Sequence, residues 1–253
     1  MTKAYTGSPG IKPRTVLIMQ ARLASTRLPG KVMLQVLPGR TMLDLTIERL
    51  KQCRSIDEIV VAVPDGPKDA AVAQEATHCG VAVFLGPEED VLTRYLSCAK
   101  AHAAEIVVRV TSDCPLIDPL VIDLHVRRLI ESWNRTDFVT NMSTQTFPLG
   151  LAVEAMPMDT LVRMDRLSPE QALREHVTTI AYERPALFLI ESVLDDTDRS
   201  SLRWTVDYPE DMQFVKRVYQ ALYHPGMPFT TLQVLRWLEM HPSESRTIAE
   251  VKK

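Results

Sequence analysis

An α/β fold on a mostly parallel sheet is predicted by three features of this sequence. Short uninterrupted apolar runs recur at 15–20, 59–63 and 106–110, amphipathic helical stretches separate them, and the first run ends on a loop dense in cations. Apolar runs of this length without alternation suit strands covered on both faces, as parallel sheets require. Strands alternating with helices close such a sheet through crossover connections and leave helices on both sides.

The elements follow in order. Residues 15–20 (TVLIMQ) read as the first, central strand. Thr41 then precedes a helical pattern in which Leu43, Ile47 and Leu50 share one stripe, and 59–63 (IVVAV) reads as the second parallel strand. The unit repeats with a helix over 68–79, a strand over 81–85, a helix over 88–103 carrying Val91, Tyr95 and Leu96, and a buried strand over 106–110. The second half predicts a helix over 119–132, a short strand over 137–140, and an alternating segment at 150–155 suited to antiparallel pairing. Two helices start at Met158 and Pro169, the second with Leu173, Val177, Ile180 and Ala181 on one face. Strands at 187–194 and 202–206 and helices at 210–223 and 230–240 complete the chain. No linker composition separates the halves. The expectation is one domain over 15–253 after a flexible tail of 14 residues containing Gly7, Pro9, Gly10 and Pro13.

Composition narrows the function. Hydrophobic residues make up 45% and charged residues 24% of 253, which excludes a mostly disordered chain. A net charge of -3 gives no basic surface of the kind that grips a nucleic-acid backbone. Cys53, Cys79, Cys98 and Cys114 lack metal-type spacing and read as small apolar residues in a reducing compartment. No apolar run reaches the roughly 20 residues of a membrane span, and no signal-peptide pattern opens the chain, so the cytoplasm is the expected location.

Three segments carry candidate chemistry. The loop A-R-L-A-S-T-R-L-P-G-K at 21–31 follows the first strand, where open parallel sheets bind their ligands. Arg22, Arg27 and Lys31, with Ser25, Thr26 and the amides near Gly30, are suited to surround a polyphosphate, although the loop is not a Walker A motif. The alternative is a solvated basic turn. In R-V-T-S-D-C-P-L-I-D-P at 109–119, Asp113 leaves the end of a buried strand, where a carboxylate suits Mg²⁺; Asp118 before Pro119 reads as a helix N-cap. In R-W-T-V-D-Y-P-E-D at 203–211, Asp207 reads equally as an N-cap, with Glu210 in the capping-box position, or as a metal ligand.

These motifs, together with T-F-P-L-G-L-A-V-E at 146–154 and R-E-H-V-T at 174–178, resemble the cytidylyltransferases of the spore-coat polysaccharide SpsF type, relatives of CMP-ulosonate and CMP-sialate synthetases. The resemblance runs from about residue 15 to about residue 230. It implies a nucleotide-diphospho-sugar transferase fold, CTP as donor, Mg²⁺ as cofactor, a small sugar-like acceptor and a homodimer. Carried onto this chain, it implies Arg22, Ser25, Arg27 and Lys31 at the triphosphate, Ala21 against base and ribose, and Asp113 and Asp207 on the metal. Thr111 and Ser112 join the nucleotide site; Ser112 departs from the glycine often found before the metal aspartate. Asn141, Thr146, Glu154, Arg174, Glu175 and His176 are the acceptor-side candidates, with Arg174 alternatively pairing across a subunit boundary. Trp204 and Tyr208 are expected in packing, as are Trp133 and Trp237.

Two rivals remain at this stage. A glycosyltransferase of the same fold would use a D-x-D motif, which Asp196-Thr197-Asp198 satisfies, but in a polar run that reads as a surface turn. It would also leave the three-cation loop without a γ-phosphate to bind. A non-catalytic nucleotide-binding module would not need both Asp113 and Asp207.

Overall fold

The computed structural model describes residues 12–250. The expected tail lies outside these residues except for its last three. Of those, Lys12 meets Asp57 at 3.2 Å and Arg14 meets Glu58 at 2.6 Å.

The first strand is β1 (Thr15–Gln20), followed by a hairpin of β2 (Gln35–Leu37) and β3 (Arg40–Thr41) and by helix α1 (Met42–Leu50). Then come β4 (Glu58–Pro64), α2 (Ala70–His78), β5 (Ala82–Gly86), α3 (Val91–Ala101), β6 (Ile106–Thr111) and α4 (Pro119–Glu131). The second half holds β7 (Phe138–Thr140), β8 (Glu154–Pro157), α5 (Met158–Leu167), α6 (Gln171–Glu175), α7 (Thr179–Glu183), β9 (Ile190–Ser192), α8 (Pro209–Leu222) and α9 (Thr231–Met240).

Seven strands form one sheet in the order β5-β4-β1-β6-β8-β7-β9. The pairs β5–β4, β4–β1 and β1–β6 are parallel, β8 is antiparallel to both β6 and β7, and β7–β9 is parallel. Only β8 runs against the rest; the antiparallel pairing expected of 150–155 begins at Glu154 and runs on to Pro157. The apolar runs are continuous because both faces are covered. Leu17 and Met19 join the core beneath α1, α4 and α8, while Val16 and Ile18 join the core beneath α3 and α5. Among the described residues, no helix is long and apolar enough to cross a membrane.

Three expectations need correction. The run at 202–206 is buried but forms no strand of the sheet. It crosses the sheet's end instead, where Trp204 and Thr205 donate to the Leu149 carbonyl at 2.6 and 2.9 Å and Val206 donates to that of Asp113 at 2.8 Å. An apolar run reports burial, and loop carbonyls satisfied the backbone here as a sheet partner would. The helix predicted from Pro169 is split into α6 and α7 at Val177, whose φ is 60°. A three-residue turn closes there, with Thr178 N–H donating to the His176 carbonyl at 2.6 Å. Left-handed φ is strained for a β-branched residue, so helical periodicity concealed the break. The strand predicted at 187–194 shrinks to β9, and the β2–β3 hairpin was not anticipated because its strands are too short to show a period.

Gly150 closes the gap between this crossing segment and the rest of the fold. Its φ is 119°, and a Cβ built there would lie 2.6 Å from both Thr205 N and Trp204 C. Backbone atoms cannot yield as a side-chain end can. Gly150→Ala is therefore expected to destabilise the protein by about 2–4 kcal/mol through strain and displaced backbone. Urea unfolding of the variant beside the parent checks it; an unchanged midpoint would refute the close-approach argument.

Candidate active site

The carboxyl end of β1 delivers the cationic loop, and local backbone contacts hold it in place. Ala21 N–H donates to the Ala62 carbonyl at 3.2 Å, and Leu23 N–H donates to the Asp69 carboxylate at 2.5 Å. Gly30 closes the loop by donating to the Leu23 carbonyl at 3.1 Å, and its φ of 67° is the left-handed region that glycine enters without penalty. Lys31 then opens a one-turn 3₁₀ helix, Lys31–Met33.

The loop forms one wall of a cavity of about 430 Å³, a size suited to a small-molecule ligand. Arg22, Ser25, Thr26, Arg27 and Lys31 line that wall, and Thr111, Ser112, Asp113 and Asp207 line the facing one. Glu175 and His176 contribute from the end of α6, while Gln20, Arg94 and Arg109 also face the space. Arg22 makes no hydrogen bond or ion pair among the described residues, and its side chain is exposed. Ser25 Oγ accepts weakly from Leu28 N–H at 3.4 Å.

Lys31 sits at the centre of the charges. Its ammonium donates to Asp113 Oδ2 and Asp207 Oδ1, each at 3.1 Å, and to the Val206 carbonyl at 2.7 Å. Arg27 meets Asp207 Oδ1 at 2.7 Å from the same loop, and Arg203 meets Asp207 Oδ2 at 2.8 Å from the opposite side. Thr111 Oγ1 donates to Asp113 Oδ1 at 2.6 Å. Burial works to raise the Asp113 carboxyl, but the Lys31 charge and the Thr111 hydroxyl outweigh it and hold the group below its ordinary value. Asp113 is thus anionic at neutral pH. Cys114 beside it is not a nucleophile, because burial and the Asp113 charge push its thiol up to about 12.

Asp207 is free of helix capping because Asp211 does that work. The Asp211 Oδ2 accepts from the backbone N–H of Asp207 at 2.9 Å and of Tyr208 at 3.0 Å, at the start of α8. Arg203 and Arg246 also reach the Asp211 carboxylate, which is 1% exposed. The predicted cap by Asp207 with Glu210 is corrected accordingly, while Asp118 does cap α4, accepting from Leu120 N–H at 2.9 Å.

The structure brings together every residue expected at the nucleotide and the metal, but not the acceptor-side set. Asn141 is buried and spans two backbone groups, donating to the Leu151 carbonyl at 2.7 Å and accepting from Val153 N–H at 3.0 Å. Thr146 Oγ1 accepts from Asp195 N–H at 2.8 Å. Glu154 is buried against Arg109 at 2.5 Å, Tyr182 at 2.6 Å and Thr178 at 2.8 Å. Arg174 fastens α6 to α3 and α5 through Asp90 and Asp165, both at 2.7 Å. None of these four lines the cavity; His176 does, with Glu175. Asp196, Thr197 and Asp198 lie exposed on a surface turn outside it. Trp204 is fully buried and Trp237 nearly so; Trp133 packs partly buried against the core, and Tyr208 lies beneath Arg27 at 5.3 Å.

Sequence reasoning missed Gln20, Arg94, Arg109, Arg203 and Asp211. Arg109 had a signal, since a lone arginine inside an otherwise apolar strand needs a buried partner, here Glu154. Arg203 and Asp211 had none, because their meeting depends on the chain turning at Asp207.

Asp211 yields a test of the scaffold. Burial raises its carboxyl, but Arg203, the two backbone donors and Arg246 together hold it below the ordinary 3.8. A lowered folded value means its contribution is complete above the unfolded value and is lost as pH falls below about 4. Asp211→Asn is expected to cost about 3 kcal/mol at pH 7 by removing the buried charge that balances Arg203 and Arg246. The deficit against the parent narrows below pH 4; pH-resolved thermal unfolding reads both effects, and a constant deficit would rule out the charged role.

Comparisons with known proteins bear on the same residues. The family model described as "Cytidylyltransferase" matches residues 16–224. An uncharacterised protein of Methanocaldococcus jannaschii is 36% identical over 199 residues, covering 78% of this chain and 79% of its own. The spore coat polysaccharide biosynthesis protein SpsF of Bacillus subtilis is 30% identical over 81% of this chain and 86% of its own. A cytidylyltransferase structure from Leptospira borgpetersenii superposes with a TM-score of 0.88 at 31% identity, covering 92% of this chain and 96% of the other.

Proposed function

Because this chain belongs to the cytidylyltransferase family, we propose that it transfers CMP from CTP to a sugar, sugar-acid or phosphorylated small acceptor, releasing pyrophosphate, in the synthesis of surface polysaccharide precursors. The observation that carries this reading is the meeting of Lys31 with Asp113 and Asp207 in a cavity walled by Arg22 and Arg27. A site for a neutral ligand would not concentrate these charges, whereas a triphosphate needs cations on its oxygens and carboxylates for the metal that accompanies it.

Asp113 and Asp207 are also fitted to such a metal. Both present an oxygen to one common point, occupied by the Lys31 ammonium, and two carboxylates with phosphate oxygens and water make a Mg²⁺ shell. Bound there, the cation would neutralise phosphate charge and lower the pKa of an acceptor hydroxyl. The remaining work falls to the protein's own groups. Arg22 and Arg27 offer forked donors to the β- and γ-phosphates, and Lys31 a point charge. An acceptor oxygen attacks the α-phosphorus opposite the β-phosphate bridge; a P–O bond forms to the acceptor and the P–O bond to the departing pyrophosphate breaks. Thr111 fixes Asp113, and Arg203 with Asp211 fixes Asp207, so the carboxylates are oriented before substrate arrives. On the open side, Glu175 and His176 face the cavity and are assigned to the acceptor. Mg²⁺ as the metal, a cytoplasmic location, a homodimer and a single domain from residue 15 onward belong to the same proposal, supported by the family resemblance.

The test is a pyrophosphate-release screen of CTP, GTP, UTP and ATP against ulosonic acids, sugar phosphates and polyol phosphates. CTP with one acceptor class is expected to turn over; release of CDP or UDP from a nucleotide sugar would instead establish glycosyl transfer. With the active pair in hand, Asp113→Ala is expected to lower kcat at least about a hundredfold. His176→Ala should raise the acceptor KM roughly tenfold, as loss of one hydrogen bond to a charged group does, with the CTP KM unchanged. An effect confined to the CTP KM would move His176 to the nucleotide side.

A further inference from the structure

Asp113 and Asp207 together carry two negative charges, and three cations already surround them: Lys31, Arg27 and Arg203. Lys31 stands at the point both carboxylates share. All three of its ammonium donors are used, on Asp113, Asp207 and the Val206 carbonyl, and the side chain is only 12% exposed. Asp207 Oδ1 is shared between Lys31 and Arg27, and Oδ2 is taken by Arg203, so neither oxygen of Asp207 is uncommitted. A divalent cation arriving alone must displace an ammonium already ion-paired with both carboxylates, and the displaced ammonium would remain beside it.

The three cations differ in their freedom. Arg203 is fixed on its far side by Asp211 and stays. Arg27 is half exposed, and Lys31 carries its charge on a flexible four-carbon stem at the start of a single 3₁₀ turn. A triphosphate entering the cavity offers both of them stronger anionic acceptors than a shared carboxylate oxygen.

We propose that Lys31 is the resident counter-cation of the Asp113–Asp207 pair in the nucleotide-free enzyme, and that it yields this place to a divalent cation only when a polyphosphate draws it away. The inference rests on the nucleotidyltransferase reading for the identity of the polyphosphate. Its consequence is an order of assembly: the metal enters with or after the nucleotide and does not charge the empty site. The lysine thereby serves the pair twice, as its neutralising partner before binding and as a phosphate ligand after it.

The experiment measures Mn²⁺ binding with no nucleotide present, from the loss of the free-ion electron paramagnetic resonance signal. Lys31→Met keeps the stem and removes the charge. It is expected to bind Mn²⁺ at least tenfold more tightly than the parent, and the double variant Lys31→Met/Asp113→Asn is expected to lose that gain. Equal affinity in the parent and Lys31→Met, or a gain that survives Asp113→Asn, would overturn the proposal. Thermal unfolding verifies that Lys31→Met is folded; if it is not, Lys31→Gln reads the same quantity against the same criteria. Because no nucleotide is used, a failed pyrophosphate screen leaves this result standing, and a successful screen with equal Mn²⁺ affinity in the parent and Lys31→Met overturns the counter-cation role of Lys31 alone.

Discussion

Two carboxylates that face one point cannot sit together at a sheet edge without compensation, and the architecture around Asp113 and Asp207 is organised by that requirement. Lys31 supplies a charge to both. Arg203 supplies one to Asp207 from behind and needs its own counter-charge, which Asp211 provides from the first turn of α8. Asp211 in turn accepts from the backbone N–H groups of Asp207 and Tyr208, which fixes the turn that carries Asp207. The chain of pairings runs from the cavity into the interior, through Asp207, Arg203, Asp211 and Arg246.

The fold makes that chain possible by bringing three distant segments to one edge. β1 and β6 are adjacent and parallel, so the loop at 21–31 and the turn at 111–113 leave the sheet side by side. The segment at 202–207 is not in the sheet; it lies across the edge on the carbonyls of Leu149 and Asp113. Gly150 permits the close approach, and Val206 uses its carbonyl to hold Lys31 while its N–H holds Asp113. The same crossing thus sets both the position of Asp207 and the position of the lysine that neutralises it.

The parallel half of the sheet was legible because a strand buried on both faces leaves a continuous apolar run, and β1, β4 and β6 all do. That the cationic loop and both aspartates meet at one cavity was legible from their place after such runs and from the family resemblance. The acceptor side was not. Thr146, Glu154 and Arg174 are polar residues in recognisable motifs, and motif membership does not separate a ligand contact from an internal brace. Glu154 is spent on Arg109, and Arg174 on holding α6. The break at Val177 escaped notice for a related reason: its side chain is buried as a helical pattern predicts, while only its backbone departs from the helix.

That break has a physical role in the site. Val177 is held at a φ that costs of order 1–3 kcal/mol, and such strain persists only where neighbours over-determine the conformation. Arg174 fixes the preceding turn to Asp90 and Asp165, and Thr178 fixes the following residue to Glu154 at 2.8 Å. Between these two anchors the chain must reverse direction, and the two residues left at the rim of the cavity are Glu175 and His176. The motif R-E-H-V-T therefore divides its labour: its outer residues brace, its valine bears the strain, and Glu175 and His176 face the cavity. Glu154 joins this arrangement to the cavity floor, because the carboxylate that receives Thr178 on one oxygen holds Arg109 on the other. The rim at Glu175 and His176 and the cavity floor at Arg109 are thereby tied to one buried ion pair, so a change at Glu154 disturbs both without its side chain lining the cavity.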